Sequence, residues 1–279
     1  MENKENFDFD NIFKQLKRSN AELAVMTPSF ADLLLLDKNF SENLMPNLKK
    51  IIFCGEKLLN TTVKKIYSRF SELKIINCYG PTECTFAVTS IELLRDYEYE
   101  DIPLGITKSD VEIFIIDEQK NELSEGEIGE ILIVGESVAE GYLGNISNDS
   151  FKKFEGKTAY QTGDLGYIKD GILYFKARKD KQVKFKGYRI ELSDIEKNIQ
   201  ELCYIEKCVV LAKLNKNGKV TNLIAFVKLK EKITKNEFEI RDDLQRKIPE
   251  YMIPKIKLVE EFPINKNGKC DENRLLEEY

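Results

Sequence analysis

Apolar and polar positions divide the chain into two textures. Residues 9–20 (FDNIFKQLKRSN) carry apolar positions at a spacing that predicts a short helix. The ELAVMTP run at 22–28 reads as a buried strand stopped by Pro28, with Ser29 placed to cap a helix through SFADLLLLD. KKIIFCGE at 49–56 predicts a second apolar strand, and NTTVKKIYSRF at 60–70 a second such helix. ELKIINCYG at 72–80 predicts a third strand ending, like the second, at a glycine. Strands alternating with helices imply α/β layering, with sites gathering at the strand ends.

From about residue 102 the texture becomes β-rich. VEIFIID, GEIGEILIVG and GILYFKA are apolar runs broken by glycine and acidic turns, as in a smaller β subdomain. SDIEKNIQEL at 193–202 predicts a capped helix, and CVVLAKL and VTNLIAFVKL a pair of strands. A helix over 235–248 should end at Pro249, and the tail CDENRLLEEY is helix-like. The domain boundary is expected near 180, giving 1–179 and 180–279, although no Pro/Gly/Ser linker marks it.

Composition narrows the chemistry. The 279 residues suffice for two domains and are 42% hydrophobic, with a net charge of −5 and no basic stripe, which disfavours nucleic-acid binding. The longest apolar runs, such as LLLL at 33–36, fall far short of a membrane span of roughly 20 residues. The polar, acidic opening MENKENFDFD shows no signal peptide, so a cytoplasmic location is expected. The six cysteines form no CxxC pair, and histidine is absent, so the usual zinc sites and every Ser-His or Cys-His nucleophile are not expected. Catalysis would have to use lysine, arginine, carboxylates, hydroxyls, backbone dipoles or a bound ion.

The pentapeptide N-K-N-G-K occurs at 215–219 and again at 265–269. The first copy lies between two β-branched apolar runs. Asn217-Gly218 there suits a type I′ hairpin turn, which makes Lys219 a solvated turn lysine. The second copy follows Pro263 and precedes a helix-like tail, so Lys269 lies at an element's edge. Its residues alone leave a plain surface lysine as the default reading.

Three further stretches carry chemistry. In NCYGPTECT at 77–85 a strand runs into a turn that Gly80 permits and Pro81 stiffens. Thr82 offers a hydroxyl and nearby N–H groups to a phosphate, Glu83 the hard oxygen that Mg²⁺ prefers, and Tyr79 an aromatic face for a base. A plain strand–turn with a polar tip is the ordinary alternative. In YQTGDLGYIKDG at 160–171, Asp164 could accept both hydroxyls of a ribose, or lie in a simple Gly-Asp turn. KARKDKQVKFKGYRIELSDIE at 176–196 combines a basic run with an apolar end, which also suits a solvated strand edge.

Taken together, YGPTE, TGD, the run R-x-D-x-Q-V-K-x-x-G-x-R-I-E-L and the terminal P-x-x-x-N-G-K resemble the adenylate-forming ligase superfamily in order and approximate spacing. The resemblance covers nearly the whole chain. Through TPSFADLLLLD, FCGE, SVAEGYLGN, KGYRIEL and PEYMIP it looks most like the D-alanine–D-alanyl carrier protein ligases. It implies the C-terminal part of such an enzyme: an incomplete α/β layered subdomain to about residue 100, a small β subdomain from about 102, then a small mobile α+β domain. The implied chemistry uses ATP and Mg²⁺ to activate D-alanine as an aminoacyl-adenylate. The aminoacyl group then passes to the phosphopantetheine thiol of a carrier protein, for D-alanylation of teichoic acid.

The resemblance also implies roles. Gly55 and Glu56 would lie along the adenine and Tyr79 would stack on it, with Asn77 and Gly80 on the nucleotide side. Thr82 would contact the α-phosphate, Glu83 would help hold Mg²⁺, and Asp164, assisted by Arg178, would bind the ribose. Cys54 and Gly80 would shape the amino acid pocket. Asp180 would be a hinge, Gly187 would border the pantetheine tunnel and Lys269 would be the catalytic lysine. Several departures accompany it. The family's phosphate loop, ending in Pro-Lys, is expected upstream of YGPTE and has no match here, and neither has the acidic residue for the substrate amino group. The isolated chain is therefore expected to adenylate poorly. Ala177 replaces a customary glycine and Glu272 a customary arginine. An adenylation domain for another amino acid and a non-catalytic nucleotide- or carrier-binding remnant are the rival expectations.

Overall fold

A computed structural model describes residues 8–144, 147–216, 218–264 and 270–278. The chain forms two compact units, Met1–Asp180 and Lys181–Tyr279.

The first unit begins with α1 (Phe9–Ser19), β1 (Leu23–Met26), α2 (Pro28–Leu34), β2 (Lys50–Phe53), α3 (Asn60–Tyr67) and β3 (Lys74–Tyr79). The strands β1, β2 and β3 are parallel, with Val25, Ile52 and Ile76 in one cross-strand row. Parallel neighbours need a crossover, and α2 and α3 supply it. Ile51, Phe53 and Ile75 point to the helix side and are fully buried with Leu34, Phe40 and Ile66. β4 (Thr89–Leu93) and β5 (Ile106–Thr107) extend this sheet antiparallel.

A second, antiparallel sheet follows: β6 (Val111–Ile116), β7 (Gly129–Gly135), β8 (Phe151–Phe154), β9 (Lys157–Lys169) and β10 (Ile172–Arg178), in the order β10-β9-β7-β6 with β8 on β9. The unbroken apolar run of β7 is buried on both faces. Ile131 and Ile133 pack toward Tyr160 and Leu173, while Leu132 and Val134 pack toward Phe114 and Phe154. The first of these clusters also contains Tyr79, Cys84 and Val88. The end of β3 is thus locked into the core of the β-rich sheet, which brings the YGPTE turn to it.

The second unit opens with the hairpin β11 (Gln182–Phe185) and β12 (Tyr188–Glu191). It continues through α4 (Leu192–Gln200), β13 (Ile205–Leu214), β14 (Val220–Leu229), α5 (Glu237–Gln245), β15 (Lys255–Leu258) and α6 (Glu272–Glu277). β13 and β14 are antiparallel, and β15 adds parallel to β14 after the α5 crossover. Period-2 alternation gives this sheet two apolar faces. Val210, Ala225 and Val227 meet Ile195, Ile199, Ile240 and Leu244 of α4 and α5, and Val209, Leu211 and Phe226 meet Leu275 of α6.

Four local expectations are corrected. β1 is an edge strand with Leu23 and Val25 half exposed, not a buried one, because it pairs on one side only. Thr27, not Ser29, caps α2: its hydroxyl accepts the Phe30 N–H, and Pro28 occupies the first helical position. No side chain caps α4, and the Ser193 hydroxyl donates instead to Glu191. The β13–β14 connection is not a two-residue turn. The Asn215 N–H reaches the Lys219 carbonyl and the Gly218 N–H the Asn215 carbonyl, with Gly218 at φ 74°; Asn217 lies outside the described residues. The two-residue I′ geometry lies at Lys186-Gly187, with φ of 52° and 83°, between the paired Phe185 and Tyr188.

Arg69 closes the C-terminal end of α2, where its guanidinium donates to the carbonyls of Leu35, Asp37 and Phe40. Hydrogen bonds to a charged donor are worth about 1.5–3 kcal/mol each, less what water recovers. Arg69→Met keeps the stem and removes the donors. It should lower stability by about 2 kcal/mol, read as a lower urea midpoint at unchanged slope.

Candidate functional site

The YGPTE and TGD motifs meet through one hydrogen bond. The Tyr79 hydroxyl, at the end of β3, donates to Asp164 Oδ2 on β9 at 2.6 Å across 85 residues of sequence. Arg178 Nη1 donates to the other oxygen, Asp164 Oδ1, at 2.6 Å. The carboxylate is only 4% exposed, and these donors satisfy both of its oxygens. Burial, reinforced by the neighbouring Asp164 charge, holds the Tyr79 phenol well above its ordinary pKa, so it stays protonated and donates.

Arg178 organises more than one partner. Its Nε and Nη2 form a fork on Asp180, at 2.7 and 2.5 Å, and Nη2 also reaches the Thr162 carbonyl at 3.2 Å. β9 and β10 make this possible, because Asp164 and Arg178 are cross-strand partners at the sheet end. Gly163 lets the three polar groups close up. A side-chain carbon there would lie 2.7 Å from Asp180 Oδ2 and 2.9 Å from Arg178 Nη2, and its φ is 70°. The register shift between Phe175 and Ala177, where the customary glycine is missing, lies directly before this corner.

The turn after β3 is strained. Thr82–Cys84 form one 3₁₀ turn, and Thr85 and Phe86 follow with φ of 60° and 62°. Two consecutive non-glycine residues in this region cost about 1–3 kcal/mol each. Gly80 accommodates the tight return, since a side chain there would meet the Phe86 carbonyl and Ala87 backbone at 2.8 Å. Thr82 is exposed at the tip. Glu83 accepts a hydrogen bond from the Tyr142 hydroxyl at 2.5 Å, and its carbonyl accepts the Ala139 N–H at 2.8 Å. Burial, and then the Glu83 contact, push the Tyr142 phenol far upward.

Cys54 follows β2 and is buried, with its thiol directed at the Phe86 carbonyl at 3.5 Å. It therefore borders the same turn as Gly80. The half-buried Cys78 lies beside it on β3, its thiol pushed up to about 11 by burial and then by Cys54.

Other expected residues have different surroundings. Asn77 is buried and its amide donates to the Pro103 carbonyl at 2.7 Å. Glu56 accepts the Ser29 N–H at 2.9 Å and the Ser29 hydroxyl, so its carboxylate sits at the N-terminus of α2. Tyr79 turns its ring into the core, where it is 5% exposed, rather than leaving a face open. Gly55, with φ of 93°, forms the turn between Cys54 and Glu56. In the second unit, Gly187 completes the I′ turn described above. Lys269 lies outside the described residues, but its flanks are held by an Ile264–Cys270 bridge and by the Asp271 N–H on the Pro263 carbonyl.

Sequence reasoning missed several participants. Thr162 accepts the Asp164 N–H at 3.0 Å and donates to the Ile131 carbonyl at 2.8 Å. Glu130, 9% exposed, accepts the Gly163 N–H and pairs with Lys179 at 3.5 Å. Its signal was a carboxylate inside the apolar run of β7. Nothing local marked Tyr142 as the partner of Glu83. Among the described residues no cluster of three or more Cys, Asp or Glu side chains could by itself hold a metal ion.

Comparison with known proteins fits this arrangement. Residues 1–143 match the AMP-binding enzyme family, and residues 194–269 the AMP-binding enzyme C-terminal domain. A D-alanine--D-alanyl carrier protein ligase of Bacillus cytotoxicus is 41% identical over 277 residues, 96% of this chain and 55% of that protein. One from Listeria innocua is 41% identical over 275 residues, 95% of this chain and 54% of its own length. A solved structure of an NRPS protein containing adenylation and PCP domains, bound to a vinylsulfonamide inhibitor, matches with a TM-score of 0.80 and 28% identity. That match covers 97% of this chain and 47% of the other. A Vibrio cholerae adenylation domain in complex with glycyl-adenosine-5'-phosphate, 24% identical with a TM-score of 0.82, covers 96% of this chain and 51% of its own and shares the fold. The chain spans about half the length of the curated relatives it matches. With the family matched over 143 of its 279 residues, and its C-terminal domain over 194–269, the chain belongs to the AMP-binding enzymes.

Proposed function

We propose that this chain supplies the nucleotide-facing corner and the lysine-bearing C-terminal domain of an AMP-forming ligase. That ligase activates D-alanine with ATP and transfers it to the phosphopantetheine thiol of a carrier protein. The observation that carries the reading is the bond between Tyr79 and Asp164, with Arg178 on the second oxygen. It joins a motif at the end of β3 to one within β9, with the exposed Thr82 one short turn away. Identity of 41% to D-alanine--D-alanyl carrier protein ligases supports D-alanine as substrate and a carrier protein as partner; D-alanylation of teichoic acid is the proposed purpose of the transfer.

In the first half-reaction the D-alanine carboxylate attacks the α-phosphorus of ATP and pyrophosphate leaves. Two anions must meet there. An ammonium on a long stem lowers their repulsion where charge builds up, and Lys269 is assigned that part. Thr82 bonds the α-phosphate, and Asp164 holds the ribose hydroxyls with Arg178 keeping the carboxylate oriented. Tyr79 acts through its hydroxyl on Asp164. Gly55, Glu56, Asn77 and Gly80 shape the backbone around the adenine, Glu56 by fixing α2. Cys54 and Gly80 border the small amino acid side chain at the Phe86 carbonyl.

Mg²⁺ fits this donor set. It commonly takes one or two carboxylates and completes its shell with phosphate and water, and Glu83 offers one carboxylate beside Thr82. When bound there it would supply positive charge to the phosphates.

In the second half-reaction the carrier thiol attacks the mixed anhydride and AMP leaves. Lys269 must then yield its place, which a small hinged domain permits. Asp180 is the proposed hinge: its carboxylate is anchored on Arg178, and the second unit starts at the next residue. Gly187 borders the pantetheine path. The reading places the protein in the cytoplasm, where ATP is available, and no helix among the described residues is long and apolar enough to cross a membrane.

ATP–pyrophosphate exchange across an amino acid panel tests the proposal, using the chain joined to an N-terminal half from a D-alanine ligase. Exchange with D-alanine is expected, and exchange only with other amino acids would indicate a different adenylation domain. Lys269→Ala should reduce adenylate formation at least a hundredfold with unchanged thermal stability, whereas Lys219→Ala should leave it intact. In the same assay Cys54→Gly should relax the preference for D-alanine over larger residues by about tenfold, an effect of roughly 1.4 kcal/mol. On the chain alone, calorimetry should show AMP binding weakened at least tenfold by Asp164→Asn. Carrier binding with no exchange by the joined protein would favour a non-catalytic docking role.

A further inference from the structure

The pairing of β7 with β9 breaks at the TGD motif. Glu130 pairs with Leu165 and Leu132 with Gln161, so Ile131 lies opposite Thr162, Gly163 and Asp164 together. A bulge of this kind bends its strand and re-aims a side chain, at the cost of regular ladder bonds. The side chain re-aimed here is Asp164, which is buried and reaches the Tyr79 hydroxyl of the other sheet.

Buried backbone groups need partners wherever a ladder is interrupted. In this bulge side chains supply much of the replacement. Glu130 Oε1 accepts the Gly163 N–H at 3.1 Å, and the Lys179 N–H donates to the Gly163 carbonyl at 2.8 Å. Thr162 Oγ1 accepts the Asp164 N–H at 3.0 Å and donates to the Ile131 carbonyl at 2.8 Å. Glu130 Oε2 also lies 3.5 Å from the Lys179 ammonium, so its carboxylate links β7 to the residue that follows β10. A carboxylate inside an apolar run is costly unless it is bonded. The group that Glu130 bonds is the amide of the residue directly before Asp164. We infer that Glu130, with Thr162, is a positioning residue: it stands in for the ladder partner that Gly163 lacks, and so fixes the bulge that aims Asp164. The inference rests on the proposed ribose contact of Asp164.

Amide exchange resolved by NMR, and calorimetry with nucleotides, test this on the intact chain. In Glu130→Leu the Gly163 amide should exchange at least about tenfold faster, as expected for a lost buried hydrogen bond, while the amides of β6 stay protected. AMP binding should weaken about tenfold. Binding of dideoxy-AMP, which lacks both ribose hydroxyls, should be nearly unchanged. Glu130→Gln keeps an acceptor for the Gly163 N–H and should retain both the protection and the preference for AMP. Thr162→Val removes the companion bonds at nearly constant volume. It should lower the same preference, and it supplies the decisive readout should Glu130→Leu fail to fold. Unchanged Gly163 exchange in Glu130→Leu, equal weakening of AMP and dideoxy-AMP, or a loss in Glu130→Gln equal to that in Glu130→Leu would overturn the inference. If the unaltered chain and Asp164→Asn both bind the two nucleotides alike, the ribose reading of Asp164 falls by itself. The Gly163 exchange then still decides the part played by Glu130.

Discussion

The carboxylate of Asp164, buried within β9, governs the arrangement of the site. A carboxylate so hidden from water needs donors to replace its hydration. Arg178 and Tyr79 do this from two directions, one across the β9–β10 ladder and one from the end of β3. The same guanidinium grips Asp180, so one side chain aligns the buried carboxylate and the last residue of the first unit. Gly163 is the condition for this closeness, since any side chain would occupy the space of the ion pair.

The turn after β3 is shaped by competing demands. Gly80 and the 3₁₀ turn bring the chain back on itself so tightly that Thr85 and Phe86 adopt left-handed backbone. That strain is sustained because Cys84 and Val88 are fully buried on either side of it and Glu83 is tied to the 139–142 segment. These anchors lie beneath an exposed Thr82. In the second unit the sheet is covered on both faces, so that the small domain has its own core. Lys186-Gly187 is a tight I′ turn set by backbone geometry, and Ile264 and Cys270 pair in a bridge.

Much of the architecture was legible in the residues. The continuous apolar run of β7, the alternation in β13 and β14, and the 3.6-residue spacing in α1 are local consequences of which faces must be buried. The glycines of YGPTE and TGD could be read too, because a positive φ or a close approach leaves few alternatives. Motif order was sufficient to imply the family before any contact was known.

Side-chain orientation at the site was not legible, for a physical reason. Tyr79 reads as an open aromatic face until sheet packing buries its ring and turns its hydroxyl toward a carboxylate 85 residues away. Asn77 and Glu56 are likewise committed to Pro103 and Ser29, partners that only the assembled sheet brings near. The I′ turn lies at Lys186-Gly187 because strand pairing sets Phe185 opposite Tyr188 and leaves two residues between them. Local sequence thus determined the elements, their buried faces and the motifs. Tertiary structure decided which polar groups meet, since buried charges and hydrogen bonds are satisfied by whatever the packing places within reach.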